Sequence, residues 1–335
     1  MVRSGGRMSG VSGEELPAGL LLRRPAIADA EAVAELMCAV DVAEIGEAET
    51  DANDVRDDWA LPRFDLARDA WLVVDGAGAV RGYGWVWDKV PDHEMIGDIY
   101  AQPGESHRAI ATALCARIEE RAAEHLSAAG RDAEVTLGFF APVGSPWARF
   151  LDERGYPVAR TYFRMEIELG DEPPSPPEVP GIEIRAFQPG ADDVALHLAI
   201  QESFAEHYLF SAEPLEDWMT RRRAHAVADP SLWRIAWDGA EPAGGILPYP
   251  FEGMAWIREV GVRRAWRSRG VGRALLLNAF AALHARGHRR IGLGVDAQNA
   301  TGATRLYETA GMKVTLRHEF HRRVLRPGRA VSARG

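Results

Sequence analysis

The stretch RSRGVGRALL, Arg267 to Leu276, sets two glycines in an arginine-rich turn and then runs straight into apolar residues. A helix start exposes unpaired N–H groups and a partial positive charge. Glycine has no Cβ, so a ligand can come close to the backbone there. Consecutive N–H groups then converge on one anion, most naturally a phosphate or pyrophosphate. Arg263, Arg264, Arg267, Arg269 and Arg273 add charge around the turn. The dinucleotide fingerprint does not fit, because Leu275 stands where its third glycine belongs, and the P-loop fails for want of Gly-Lys-Ser/Thr. A tight turn with no ligand would use the same glycines.

The elements that must position this turn are readable in the C-terminal half. Residues 182–187 alternate as a strand, and residues 191–228 read as two helices, with Pro214 opening the second. LWRIAWDGAEPAGGILPY reads as two strands around an Asp238-Gly239 turn. MAWIREVGV is a further strand, ending near Val262 just before the turn. Residues 269–286 keep Val271, Leu275, Ala279 and Ala282 on one helical face and stop at Gly287. Ile291, Leu293 and Val295 alternate as a strand, Asn299 is suited to cap a helix ending near Gly311, and two short strands close the half. The pattern implies a mixed sheet with helices on both faces.

The chain has 335 residues, 47% of them apolar and 26% charged, a globular composition long enough for two domains. A formal net charge of −10 argues against nucleic acid as a partner, since phosphate contacts need a broad basic surface. Two cysteines, Cys38 and Cys115, do not make a disulfide scaffold. The Gly- and Ser-rich start lacks the apolar core of a signal peptide, and no apolar run reaches the roughly 18 residues of a membrane span. A cytoplasmic protein without membrane or metal partners is expected.

The proline-rich segment GDEPPSPPEVPG divides the chain near its middle. Across it lies a faint repeat. LLLRRPAIADAEAVAEL matches IEIRAFQPGADDVALHL, WLVVDGAGAVRGYGWV matches WRIAWDGAEPAGGILPY, and RFLDERGY matches RLYETAGM. Three matches in the same order point to duplication. The expected organisation is a tail at 1–18, a domain at 19–169, a linker at 170–181, a second domain at 182–327 and a tail at 328–335.

Arg267-x-x-Gly270-x-Gly272, after a strand and opening a helix, resembles the acyl-CoA pyrophosphate motif of the GNAT superfamily of N-acetyltransferases. VDAQNATGATRLYETAGM, Val295 to Met312, resembles that family's second hallmark. The duplicated layout is similar to actinobacterial tandem GNAT proteins, mycothiol synthase among them. The resemblance implies an α/β chain with a mixed sheet: a tandem GNAT fold of two acyl-CoA N-acyltransferase domains.

Residue by residue, the resemblance implies that the backbone of Val260, Gly261 and Val262 pairs with the pantetheine arm of acetyl-CoA. It puts the pyrophosphate on Arg267, Ser268, Arg269, Gly270, Val271, Gly272 and Arg273. Asn299 corresponds to an asparagine that contacts the pantetheine arm, a role compatible with a plain N-cap. Tyr307 falls where the family has a tyrosine that protonates the departing thiolate, and a core aromatic would look the same. Glu259 lies where many members carry the base, although an outward polar residue of a strand would also suit. Glu206, His207 and Tyr208 are either acceptor contacts or a solvated helix face, and RRR at 221–223 reads as surface charge.

In the N-terminal half, Ser106 replaces Arg267, Ala109 and Ala111 replace the glycines, Val143 replaces Asn299 and Leu151 replaces Tyr307. Leucine donates no proton, and this half reads as catalytically silent. The expected function is acetyl-CoA-dependent acetylation of a small-molecule primary amine by direct attack in a ternary complex, in a monomer or homodimer. Two alternatives are open: mycothiol synthase, acetylating the cysteinyl amine of a sugar–inositol precursor, and a non-catalytic acyl-CoA sensor or scaffold.

Overall fold

The computed structural model describes residues 16–328, apart from 49, 62, 91–92, 129–131, 173–174, 209, 211 and 300. The expected tails therefore lie almost wholly outside the described residues. Contacts divide the chain into two compact units. One runs to Phe139 and takes back Arg323–Gly328, and the other is Phe140–Arg322.

The first unit contains β1 (Leu20–Arg23), α1 (Ala30–Ile45), α2 (Ala52–Trp59), α3 (Leu66–Asp69), β2 (Ala70–Asp75), β3 (Val80–Val90), β4 (Glu94–Ala101), α4 (His107–Ala128) and most of β5 (Val135–Pro142). Its strands lie in chain order, antiparallel up to the parallel β4–β5 pair. Val33, Val55, Trp59, Leu72 and Tyr83 form a core against α1 and α2, and the Trp59 indole donates to the Tyr83 hydroxyl at 2.7 Å.

The second unit contains α5 (Pro146–Glu153), β6 (Val158–Glu168), β7 (Glu183–Ala186), α6 (Asp193–Phe204), α7 (Leu215–Ala224), β8 (Arg234–Asp238), β9 (Glu241–Tyr249), β10 (Ala255–Val262), α8 (Val271–Ala285), β11 (Arg290–Asp296), α9 (Ala303–Thr309) and most of β12 (Lys313–Arg326). The strand order is β12-β6-β11-β10-β9-β8-β7, with β10 and β11 parallel. Helix α8 is rich in Ala and Leu, strong helix formers. It buries Leu275, Leu276, Phe280 and Leu283 completely against β8, β9 and β10. Each such side chain contributes roughly 1.5–3 kcal/mol. Gly287, at φ 91°, ends it with the backbone turned left-handed.

Four expectations change. The division falls at Phe139/Phe140 and not at 170–181, because β6 pairs along its length with β11 and β12 of the second unit. Val179 and Ile182, at the end of the proline-rich segment, pack on that unit's core, so the segment is not a free spacer. The two closing strands are one strand of 14 residues, β12. Register shifts after Val314 and Phe320 bend it, which is why the sequence reads as two pieces. In the first unit α4 already begins at His107, so Ala109 and Ala111 lie inside a helix and do not occupy a turn like that before α8. The cause is the β4–α4 connection, which is shorter than the β10–α8 one.

Candidate active site

Strands β10 and β11 pair only at Ala255–Ile291 and Trp256–Gly292. Beyond that point they part, while β10 stays bonded to β9 on its other side. The backbone edge of Val260–Val262 facing β11 is thereby left open. A cavity of about 480 Å³ fills the gap, walled by Ile257–Val262 on one side and Leu293–Asp296 on the other.

At the cavity's outer end the chain turns through Arg267–Gly270 into α8. Ser268 and Gly270 are both left-handed, at φ 62° and 86°. Left-handed residues in a turn aim successive N–H groups into one concavity, a nest for an anion. Helix α8 starts on Gly270 without a capping side chain, so its first amides stay available. Gly270 is required by its φ and not by crowding, since a Cβ there would meet only Val179 at 3.9 Å. Gly272 has a packing role: a Cβ would sit 2.9 Å from Leu306, so its absence lets α9 settle against α8.

The arginines of the turn are mostly engaged already. Arg263 pairs with Glu202 at 2.6 Å, Arg264 and Arg267 with Glu206 at 3.5 and 2.8 Å, and Arg269 with Asp238 at 3.2 Å. Arg267 also donates to the carbonyls of Val262 and Ser203, which ties the turn to the end of α6. Arg273 has no carboxylate within ion-pair reach among the described residues and donates only to the Thr309 carbonyl at 3.4 Å. The backbone amides and Arg273, more than the arginine cluster as a whole, make this end receptive to phosphate.

Tyr307 lines the cavity from α9 and is 7% exposed. Burial pushes its phenol up to about 12. Asn299 is not the cap of α9, whose first flanking residue is Gly302. Its side-chain oxygen instead accepts from the Thr301 amide at 2.7 Å, and its amide nitrogen lies 3.4 Å from the His207 ring. His207 and Tyr208 follow the end of α6 and line the cavity, so they are not a solvated helix face. Burial lowers the His207 imidazole below its ordinary value, which keeps it neutral at pH 7. Glu206 lies outside the cavity wall as the partner of Arg267.

Glu259 lines the cavity from β10 and is bonded through one carboxylate oxygen to Arg222 of α7. Its other oxygen is buried without a hydrogen-bond partner. Arg222 is 7% exposed, so the middle of RRR is not surface charge. The sequence carried a sign of this, because Arg222 shares a helical face with the buried Trp218 and Met219. Arg221 and Arg223 pair with Glu213 and Asp193. Tyr162, on β6, also lines the cavity, beside Asp296 of β11. No local pattern announced it, since its neighbours in space are far along the chain.

The parting strands, the nest and the facing tyrosine lie along one cavity. The model of the Acetyltransferase (GNAT) family matches residues 196–312. The chain is 31% identical to a mycothiol acetyltransferase of Geodermatophilus obscurus over 72% of its own length and 77% of the relative's. It is 29% identical to that of Thermobispora bispora over 66% and 73%. A GCN5-related N-acetyltransferase from Sphaerobacter thermophilus superposes with a TM-score of 0.83 at 34% identity, over 95% of this chain and 99% of that one. A tandem GNAT protein from the clavulanic acid biosynthesis pathway shares the fold at a TM-score of 0.68 and 19% identity, over 92% and 100%. The chain belongs to the GNAT family of acetyltransferases, and its fold is the tandem form. It is an N-acetyltransferase, which sets aside the non-catalytic alternative. No described helix is long and apolar enough to cross a membrane.

Proposed function

We propose that the second unit transfers the acetyl group of acetyl-CoA to the primary amine of a small molecule by direct attack in a ternary complex. The observation that carries this reading is the continuity of one cavity from the nest at Ser268–Gly270, along the open edge of Val260–Val262, to the Tyr307 side chain. The nest and Arg273 suit a pyrophosphate. The open strand edge suits an extended amide-bearing arm, with Asn299 beside it. The thioester supplies an acyl carbon activated toward amines.

The amine nitrogen bonds to the acyl carbon, the carbon–sulfur bond breaks, and the second proton shed by the acylated nitrogen passes through water to restore the Tyr307 phenol. The leaving sulfur takes a proton from the Tyr307 phenol, which is fully protonated across the physiological range. An ammonium must first lose a proton. Glu259 takes that role, directly or through water, because its unpartnered oxygen offers an acceptor and Arg222 fixes its orientation. Among the described residues no cysteine lines the cavity, so a covalent cysteine route has no nucleophile there.

A narrower reading is the cysteinyl amine of a sugar–inositol precursor, favoured by the mycothiol acetyltransferase relatives. Acetyl transfer to a panel of primary amines tests the general reading. Tyr307→Phe is expected to lower kcat by about 10²–10³-fold while acetyl-CoA affinity stays within about threefold. Unchanged kcat in that variant would remove Tyr307 from the mechanism.

A further inference from the structure

Strand β10 carries an irregularity that bears on the acceptor. Its register with β9 shifts between Ile257, opposite Pro248, and Glu259, opposite Leu247, so Arg258 is an extra residue. The packing shows the consequence. Ala255 and Ile257 face the core before the shift, and Val260 and Val262 pack on it after the shift. The core-facing positions change from odd to even, and Arg258 and Glu259 fall consecutively on the opposite face. In an unbroken strand they would point apart. A bulge re-aims a side chain in this way. Both residues line the cavity.

Their charges are in different states. Glu259 is held by Arg222. Arg258 is exposed and makes no hydrogen bond or ion pair with any described residue; its guanidinium stands 5.7 Å from the centre of the Tyr249 ring. Of the other charged groups on the cavity wall, Arg267 is paired with Glu206, and Asp296 lies 4.0 Å from Arg160. Arg273, the second guanidinium without a carboxylate, belongs to the nest. The cavity thus carries one uncompensated guanidinium near the nest and another on β10, about 13 Å upstream of the strand's end at Val262. Strand β4 of the first unit has no such bulge, its register with β3 running unbroken from Ala101 to Met95.

We propose that the acceptor is an amine that also carries a carboxylate, its anionic group bound by Arg258 while its nitrogen lies at Glu259. The inference rests on the acetyl-transfer reading and names the substrate class of that site. A guanidinium forks onto a carboxylate through two parallel N–H bonds, and Glu259 beside it takes the cationic end. A neutral amide in place of the carboxylate loses the charge-assisted bonds and leaves the guanidinium unsatisfied.

The test is acetyl transfer from acetyl-CoA to α- and ω-amino acids and to their matching carboxamides, with acetyl-CoA affinity measured beside it by calorimetry. At least one amino acid is expected to exceed its amide in kcat/KM by about tenfold or more. In Arg258→Gln that ratio falls toward one through a raised KM for the amino acid, while Arg258→Lys restores part of it. Three results would overturn the proposal: amides acetylated as well as acids, a preference that survives Arg258→Gln, or no amino acid acetylated by protein that binds acetyl-CoA. Failure to bind acetyl-CoA would instead refute the acetyl-transfer reading itself.

Discussion

Glu259 and Asp98 stand near the middle of corresponding strands, β10 and β4, in different company. Glu259 meets a buried guanidinium. Asp98 accepts from the Ile99 amide at 2.9 Å and the Tyr100 hydroxyl at 3.1 Å, and burial pushes its carboxyl up to about 7. Asp41, itself pushed up by burial to about 6, adds to that shift. A carboxyl raised in the folded state keeps a proton that the unfolded chain has released. Its presence therefore lowers stability progressively as pH rises from about 4 to 7, and fully above that. Asp98→Asn should stabilise the protein near pH 8 by about 2 kcal/mol and change little near pH 3.5. Denaturant melts at the two pH values check this, and an equal effect at both would mean that folding does not shift the pKa of the carboxyl. Single residues of the site were legible where the chemistry is local. The glycine turn, Tyr307 and Glu259 all line the cavity. Arg222 and Arg258 were missed, since one depends on a helical face and the other on a bulge that alternation alone conceals.

At the scale of elements, the second unit depends on β6. This strand pairs with β11 from Glu168–Arg290 to Tyr162–Asp296 and also with β12. It buries Met165 completely and brings Tyr162 to the cavity. A fragment beginning at residue 182 would expose the edge of β11 and the core beneath it, an invitation to edge-to-edge aggregation. It is expected to be insoluble or to melt without cooperativity, while one beginning at residue 140 folds. Cooperative melting of the shorter fragment by circular dichroism would show that β6 is dispensable. The strands and helices around the motifs were readable from periodicity and turn residues, as at Asp238-Gly239, which does join β8 to β9. Strand pairing was not, because β6 finds its partners across more than a hundred residues of chain and period-2 alternation says nothing of neighbours.

At the scale of the whole chain, two series of elements run in the same order, β1 to β6 with α1 to α5 and β7 to β12 with α6 to α9. The first carries an extra short helix, α3, and a shorter connection between β4 and α4, which lacks a glycine nest. Leu151, fully buried, holds the place of Tyr307. Duplication was visible in the sequence because turn residues and apolar faces recur in both series. Acetyl transfer by the second unit depends on one site, at Ser268–Gly270, receiving the pyrophosphate of acetyl-CoA. Calorimetric titration of the full chain with acetyl-CoA tests it most directly. One equivalent is expected to bind, and none to Gly270→Glu, which strains the left-handed turn and places a carboxylate among its amides. Binding that survives in Gly270→Glu, or no binding to the unaltered chain, would contradict it.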